Sequence, residues 1–568
     1  MNKINSEPGD LRTKLTRELE NLQAPSNKSA QVTTIRALDR KKQKPTLPSA
    51  DSRLSAWSSP IEMDTISDFT LQTSQAKKDD PAKFLDCRYQ GSILTGNLRV
   101  APFDITELLD IKITQKVNEH STLWFKAILS EEQGDSYVEL PVEGKTVALK
   151  FEDISGAQYT LFQGIIEDAE VTMVGKTYQI EAHIVSYSSL LDVKERSRSF
   201  QSKELSYTIL AWQVLLTGYP GGAVIDVATG GEATNKFIMQ YMETDWEFLK
   251  RLASRFHTGL VCDPRFGAPK IYFGVPQVQC LELDTFEYSI KKDLKQYKKL
   301  SENGAEDLRE HDFICYKVET PHVVGIGDEI IFQGKKLYVC EIASVASKGI
   351  LVNRLTLMAK KGLCQPYIPH KNVAGTSLGG KIIDVQNDRV KVFLDTDHGH
   401  DPGFPCWFPY STIYSSSDGS GWYCMPEILD TIRLHFPDAD DDDHAYVISS
   451  VHEQVDPALM HQQGGGGGGG PRSDPAVKTL RSACGKVIQL CPKGIVIDAG
   501  SSTIALTDAG VEIASESDIT FKSDQKIVMS AEAEIQVAGS ECVDLAGGGA
   551  SVKVEDDVEL KGAEVKSN

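Results

Sequence analysis

The sequence has no apolar run near the roughly 20 residues that a membrane-spanning helix needs. Its first residues, MNKINSEPGDLRTKL, also lack the apolar segment of a secretory signal. We therefore expect a protein that is made in the cytosol and first stays there. The 11 cysteines are odd in number and form no C-x-x-C pair. This pattern favours reduced, mostly buried thiols over a zinc ribbon or a disulfide framework.

Basic charge is scarce in this chain. Its 568 residues carry a formal net charge of −20, and binding to phosphate groups requires a basic surface. Nucleic acid is therefore excluded as the main partner. Only in the first fifty residues do Lys and Arg outnumber Asp and Glu.

Residues 1–80 lack a sustained apolar pattern, which predicts a disordered basic arm. One short stretch differs, because Leu11, Leu15, Leu19 and Leu22 recur at helical spacing. This leucine stripe is typical of a helix that docks a partner, and it is equally compatible with a transient helix that binds nothing. Our hypothesis is that the arm tethers cargo or an assembly partner.

Residues 84–365 predict a mixed domain of strands and helices. Polar and apolar residues alternate in LDIKITQKV, TLWFKAILS, KTVALKFED and TYQIEAHIVSY, which indicates strands. METDWEFLKRLASRFHTGL predicts a helix with a capping box at Thr244 and Glu247 and a stop at Gly259. The stretch Leu205–Leu216 predicts a second helix.

Residues 374–455 predict a small closed barrel of the OB-fold type. Five short apolar stretches occur in about eighty residues, namely GGKIIDVQ, RVKVFLD, PCWFPYST, ILDTIRLHFP and AYVISSVHE. A glycine-rich joint follows at residues 460–477, with seven consecutive glycines from Gly464 to Gly470.

The last segment, residues 478–568, repeats an apolar–polar–apolar triplet about every eight residues. The predicted needle core consists of Ile495, Ile497, Ile504, Leu506, Val511, Ile513, Ile519, Phe521, Ile527, Met529, Ile535, Val537, Val543 and Leu545. Both apolar residues of a triplet face the same side of a strand. One chain that turns after each short strand leaves these strands without hydrogen-bond partners. The repeat therefore favours a β-prism of three wound chains over a single-chain solenoid, whose coils are longer.

These segments together resemble the VgrG-type hub-spike proteins of contractile injection systems. QYMETDWEFLKRLASRFHTGLVCDP is similar to the Q-Y-x-E-T-D-x-x-F-x-x-R-L signature of the family's hub domain. GWYCMPEILDTIRLHFPDADDDDHAYVISSV resembles the end of its OB-fold domain, and the octads resemble the needle of phage spikes. The resemblance covers roughly residues 84–568 in the order of the family.

The resemblance implies a mainly β fold with some α. It implies a hub of two barrel-like subdomains, an OB-fold barrel and a C-terminal trimeric β-prism or β-helix needle behind the disordered arm. It also implies a homotrimer that nucleates the inner tube, contacts baseplate proteins, punctures a target membrane and carries effector cargo. The ending VELKGAEVKSN lacks an H-x-H apex, so a separate PAAR-like tip cap is expected. The particle would be assembled in the cytoplasm and act outside it or in the target envelope.

No stretch predicts a catalytic or cofactor site. GTSLGGKI and HEQVD fall short of a phosphate-binding loop and a zinc-protease helix, and PDADDDDH favours a solvated turn over a calcium loop. The weak metal candidates are His398 and His400 in DHGHDPGFPC. Two alternatives stay open: a tail-spike with a cell-wall hydrolase role, and a fibre that binds a receptor or glycan.

Overall fold

The fold is known from a computed structural model, which describes most of the chain from Tyr89 to Val554. The described residues are 89, 91–130, 146–285, 287–303, 307–416, 423–439, 442–450, 476–482, 484–540, 542–547 and 550–554. The basic arm, the glycine-rich joint as far as residue 475 and HEQVD lie outside them, so the predictions for those segments stay predictions.

A twelve-stranded sheet forms the largest part of the structure. Six of its strands come early in the chain: β1 Leu98–Ala101, β2 Ile105–Lys116, β3 Thr122–Leu129, β4 Thr146–Glu152, β5 Gln158–Val174 and β6 Thr177–Ser186. Alternating residues of these strands, such as Leu123, Phe125 and Ala127, are fully buried in one apolar core. The apolar residues that alternate in the sequence thus lie on the side of the sheet that faces this core.

A layer of helices and short strands follows in the chain. It contains β7 Glu195–Phe200, α1 Tyr207–Gly218, β8 Ala223–Asp226, β9 Ile238–Thr244, α2 Asp245–Ser254, β10 Leu260–Cys262 and β11 Lys270–Phe273. β7 and β9 pair as a two-stranded antiparallel ribbon, and β8, β10 and β11 form a small sheet. Both helices pack into a second apolar core with these strands.

Helix α2 begins as its sequence predicts. The Thr244 hydroxyl accepts a hydrogen bond from the Glu247 backbone, and the Glu247 carboxylate accepts one from the Thr244 backbone. The helix ends at Ser254, five residues before the predicted stop at Gly259. The reason is local, because His257 adopts a left-handed φ of 50° that an α-helix does not allow.

The remaining strands of the large sheet return in the next hundred residues. They are β12 Cys280–Leu283, β13 Tyr288–Lys292, β14 Ile314–Thr320, β15 Glu329–Phe332, β16 Lys335–Ser347 and β17 Ile350–Met358, with helix α3 Leu294–Ser301 between β13 and β14. The main order across the sheet is β1-β4-β5-β6-β3-β2-β16-β17-β14-β13, and β15 pairs with both β12 and β16.

Five strands then close a small barrel. They are β18 Ser377–Gln386, β19 Arg389–Leu394, β20 Trp407–Ser411, β21 Thr431–His435 and β22 Tyr446–Ser450, in the order β18-β19-β20-β22-β21. Gly379 and Gly380 of GTSLGGKI belong to β18, where a Cβ on Gly380 would stand 2.6 Å from the Phe393 carbonyl. They permit close strand packing, and a strand stands where a phosphate-binding loop would need a helix.

The octad segment contributes two further sheets. A five-stranded antiparallel sheet comprises β23 Lys478–Arg481, β24 Val487–Cys491, β25 Gly494–Asp498, β26 Ser502–Thr507 and β27 Gly510–Ser515. A two-stranded sheet comprises β28 Val543–Gly547 and β29 Ala550–Val554.

The predicted fold class is confirmed: the described chain is mainly β with some α, has a small closed barrel and contains large sheets. Within the described residues no helix is both long and apolar enough to cross a membrane. The prediction of mostly buried thiols is wrong. Ten cysteines are described, all of them free, and only Cys262, Cys315 and Cys406 are buried.

Removing the cap of α2 tests the role of the capping box. We expect Thr244→Ala to lower the free energy of unfolding by about 1–2 kcal/mol, since an orphan backbone N–H loses its acceptor. The Thr244 hydroxyl also hydrogen-bonds Asp192 Oδ1. Thr244→Ser keeps an oxygen for both bonds and should lose much less. Urea unfolding of the three proteins measures this, and equal losses for Ala and Ser would contradict the capping role.

Candidate functional site

The apolar face of the octad sheet is the first candidate functional surface. Neighbouring strands place their apolar pairs directly opposite one another, for example Ile488 with Ile497 and Leu490 with Ile495. The same match continues across β26 and β27. Two rows result, one of Ile488, Ile497, Ile504 and Ile513, the other of Leu490, Ile495, Leu506 and Val511.

This face is exposed in the single chain. Each of the eight side chains in the two rows is exposed, from Ile504 at 36% to Val511 at 68%. The middle residues of the triplets, such as Gln489, Val496 and Ala505, are more covered than their apolar neighbours. A sheet with one apolar face is stable only when another layer covers that face. A contiguous apolar surface of this kind marks an interaction site.

The octads from 516 to 540 continue the pattern without strands. The side chains of Ile519, Phe521, Ile527, Met529, Ile535 and Val537 are all exposed by about half or more. Between residues 517 and 540, the described chain makes no backbone–backbone hydrogen bond. Beyond them, Val543 and Leu545 lie in β28, opposite Val554 and Val552. The predicted core residues therefore line up along the segment but are not buried within one chain.

One step of the sequence interpretation is wrong for part of this segment. Strands β24 to β27 do find hydrogen-bond partners in their own chain, as consecutive hairpins. The reason lies in turns that the octad period conceals. Pro492–Lys493 and Asp508–Ala509 are two-residue connections, since Cys491 pairs with Gly494 and Thr507 with Gly510. The backbone hydrogen bonds of these strands are thus made within one chain, but their apolar face stays uncovered.

A buried network of charges is the second candidate, and it explains the QYMETD stretch. Asp245 is fully buried at the start of α2 and binds Arg196 at 3.0 Å and Arg198 at 2.6 Å. Gln240 donates to Asp245 at 3.0 Å and accepts from Arg198 at 2.8 Å. Burial and the neighbouring Asp245 raise the pKa of Tyr219 to about 12, and its hydroxyl donates to the same carboxylate.

Arg251 extends this network from α2 to the barrel connection. The guanidinium is 2% exposed and forms a two-pronged bond to Glu243, at 2.8 and 2.9 Å. Its Nη1 lies 3.8 Å from Asp442, a residue between β21 and β22. Asp442 also accepts from the Met239 backbone of β9 at 2.9 Å. One barrel carboxylate thus holds both a strand and a helix of the preceding layer.

Asp442 is a strongly acidic buried group. Burial alone raises its pKa, but the hydrogen bond with His370 at 2.9 Å and the charge of Arg251 outweigh this and lower the pKa to about 2. The prediction that PDADDDDH is a solvated turn is therefore wrong at Asp442. The sequence of α2 contained a sign of this buried carboxylate. Arg251 interrupts the apolar stripe of the helix, and a buried guanidinium needs a buried anion.

The other strand of the ribbon is held in a similar way. Asp397, which is fully buried, accepts hydrogen bonds at 2.6 Å from both the backbone and the hydroxyl of Ser199 in β7. Burial raises its pKa to about 6 against these hydrogen bonds. The Gln201 side chain donates a hydrogen bond to the Val392 carbonyl of the barrel and accepts one from the Cys406 backbone N–H. Both strands of the β7–β9 ribbon are thus hydrogen-bonded to the barrel.

The structure does not bring His398 and His400 together as ligands. His398 Nδ1 lies 2.7 Å from the Asp395 carbonyl, and His400 Nε2 lies 2.9 Å from the Ser199 carbonyl. Burial and the neighbouring Arg198 lower the pKa of His400. Among the described residues no group of three His, Cys, Asp or Glu side chains is arranged to hold a metal. The metal candidate therefore stays an untested prediction.

Comparison with known proteins gives no match by sequence. No family model matches the chain, and no curated protein does.

Solved structures do match, at low identity. A component of the E. coli type VI secretion system, c3393, described as similar to the T4 phage tail proteins gp27 and gp5, is 13% identical with a TM-score of 0.46; the match covers 62% of this chain and 99% of that one. A chain of the Francisella PdpA–VgrG complex is 9% identical with a TM-score of 0.45, covering 83% of this chain and 96% of that one. A 43 kDa tail protein of prophage MuSo2 from Shewanella oneidensis is 14% identical with a TM-score of 0.35, covering 49% and 100%.

These matched structures are type VI secretion and phage tail proteins, the kinds of protein that the sequence resembles.

Asp442 makes stability depend on pH in a defined direction. Its pKa is about 2 in the folded chain against a usual 3.8, so its contribution is present above pH 4 and is lost as the pH falls towards 2. The loss is about 2 kcal/mol. We expect Asp442→Asn to be less stable than wild type by about 3 kcal/mol at pH 6, because Arg251 keeps only one of its two buried anions, Glu243.

Urea unfolding between pH 6 and pH 2 measures this difference, which should shrink to about 1 kcal/mol or less at the acid end. Asp443→Asn is a matched control, because it removes the carboxylate next to Asp442 in the sequence, and the Asp443 side chain is 40% exposed. A difference for Asp442→Asn that does not change with pH would contradict the assigned ion pair.

Proposed function

We propose that this chain is a homotrimeric hub-spike protein at the tip of a contractile injection machine. The observation that carries this proposal is the octad segment, where two rows of apolar side chains are exposed and residues 517–540 make no backbone–backbone hydrogen bond within the described chain. Three copies wound around one axis supply both missing elements: strand partners for the backbone and a shared core for the apolar faces.

The octads favour copies of the same chain over a different partner. A regular repeat can pair with an identical repeat at every step, so each apolar pair meets an equivalent pair at the same height. Covering a half-exposed Ile or Leu stabilises by about 1 kcal/mol, and each chain offers more than a dozen such side chains. The resulting trimer is a rigid rod whose axis excludes water. Such a rod serves as a needle better than as a ligand-binding pocket.

The buried charge network supports a mechanical role for the rest of the chain. A pushing force on the hub passes to the barrel through the β7–β9 ribbon, and this ribbon is bonded on both strands to barrel residues. Buried ion pairs resist separation, because pulling one partner away leaves an uncompensated charge. In this proposal the protein nucleates the inner tube, meets baseplate proteins, carries effector cargo or a PAAR-like cap, and has no catalytic role.

A substitution on the apolar face tests the homotrimer. We expect wild type to have the mass of three chains by light scattering. Ile497→Glu places a charge in the shared core and should shift the protein to monomers. The matched control is Val496→Glu, which puts the same charge on the opposite face of the same strand.

Light scattering over a hundredfold range of concentration reads this result. A trimer for wild type and Val496→Glu, with a monomer for Ile497→Glu, supports the proposal. A wild-type monomer throughout, or a trimer that Ile497→Glu leaves intact, would overturn the interchain core.

A further inference from the structure

A cavity of about 430 Å³ lies where the layer of helices and short strands meets the large sheet. Its wall comes from the turn after β8, the segment after α2, the loops before β12 and β15, the strand β16 and a short 3₁₀ turn, Lys360–Leu363, that follows β17. Small-molecule sites have volumes of about 300–1,000 Å³. The cavity shares no residue with the charge network or with the octad face, so neither of them explains it.

Much of the cavity wall is apolar. Leu363 is buried, and Phe256 and Val275 are half-buried. Tyr207 packs edge-on against Phe256 with the ring centroids 5.0 Å apart, and Leu363, Val275 and Met358 belong to one apolar cluster. These contacts hold the wall in place without filling the cavity. Such a wall favours a ligand with an apolar body, because binding removes that body from water.

The cavity also carries charge of one sign. Lys360 and Lys361 belong to its wall together with His257, and no Asp or Glu does. The whole chain has the opposite balance, with 80 acidic and 60 basic side chains. A cleft lined by one sign of charge concentrates ligands of the other sign. The cavity therefore favours an anion, and it lacks the carboxylates that a cation would need.

Neither lysine is neutralised by a carboxylate within the described part of the chain. The ammonium of Lys360 lies 6.0 Å from the ring centre of Tyr338, which also lines the cavity. The ammonium of Lys361 donates a hydrogen bond of 2.8 Å to the backbone carbonyl of Asp307, an uncharged acceptor. Both lysine side chains thus keep a positive charge that a ligand can neutralise.

The carboxylate of Glu329 lies beside the cavity but is already neutralised. It accepts hydrogen bonds of 3.0 Å from both Gln277 and Tyr338 and pairs with Lys336 at 3.1 Å. The bonds with Lys336 and Tyr338 lower the pKa of Glu329. The same bond fixes the Tyr338 ring in the wall, next to Lys360. Glu329 is therefore a support for the cavity and not a partner of its lysines.

We propose that this cavity binds a small organic anion, which is a carboxylate or phosphate group on an aromatic or aliphatic body. The anionic group pairs with Lys360 and Lys361, and the apolar body lies against Phe256, Val275 and Leu363. This site goes beyond the proposed function, and it does not depend on the homotrimer, because one chain supplies its whole wall.

Calorimetric titration of the full chain tests the site with two probes, phenylbutyrate for the carboxylate and phenyl phosphate for the phosphate. Phenylbutanamide has the shape of phenylbutyrate without its charge, and acetate has the charge without the apolar body. We expect saturable binding of at least one probe, with one site per chain. The amide and acetate should bind about tenfold or more weakly, since each lacks one of the two contacts.

Variants of the wall locate the bound probe. Lys360→Gln with Lys361→Gln should weaken binding about tenfold, because the anion loses both charges. Val227→Trp should block the cavity while both lysines remain, and the 46% exposure of Val227 leaves room for the larger side chain. Lys298→Gln with Lys299→Gln, an exposed pair on α3 outside the cavity, is the control with the same charge change and should bind as wild type does. Circular dichroism and urea unfolding show that each variant is folded.

Binding that wild type and the α3 control share, and that both cavity variants lose, supports the site. The proposal is overturned if neither probe binds wild type saturably, or if the amide binds as well as phenylbutyrate. Binding that survives either cavity variant also overturns it, since the probe then lies elsewhere, as on the exposed octad face. None of these outcomes changes the mass of the protein, so the homotrimer is tested separately.

Discussion

An apolar sheet face has to be covered and a strand edge has to be paired, and most of this structure follows from that constraint. In the large sheet the apolar faces are covered internally, because β2 pairs with β16 and the apolar cores on either side of this contact are buried. In the barrel it is met by closure of five strands on themselves. In the octad segment one chain satisfies the pairing of β24 to β27 but leaves their apolar face open.

The buried charges solve a different problem, which is how to fix one layer to the next. Apolar contacts between layers are not directional, so they hold layers together without setting their orientation. Asp245, Asp397 and Asp442 each accept hydrogen bonds from named donors in or beside the β7–β9 ribbon. These hydrogen bonds need a defined geometry. If one layer shifted against the other, a buried donor of each bond would lose its acceptor. The network therefore favours one arrangement over the alternatives that an apolar contact alone would permit.

Local signals in the sequence predict the elements well. The capping box at Thr244, the alternation in β2, β3, β4 and β6 and the five barrel strands are read from neighbouring residues, and the structure has them. Long-range contacts are harder to predict. Asp442 lies almost 200 residues from Arg251, and its acidic neighbours suggest a solvated turn, so only the folded chain shows the ion pair.

The octads show how a correct period can still mislead about pairing. A step of eight residues fits a strand with a corner, and it fits equally a strand with a two-residue hairpin turn, as at Pro492–Lys493. Both interpretations place the apolar pairs on one face, so the period alone does not decide between them. The backbone between residues 517 and 540 separates the cases, because there the chain keeps the repeat but makes no hairpin ladder. The same repeat thus pairs with itself near β24 to β27, and between residues 517 and 540 it leaves the backbone open to the strand partners that the proposed homotrimer would supply.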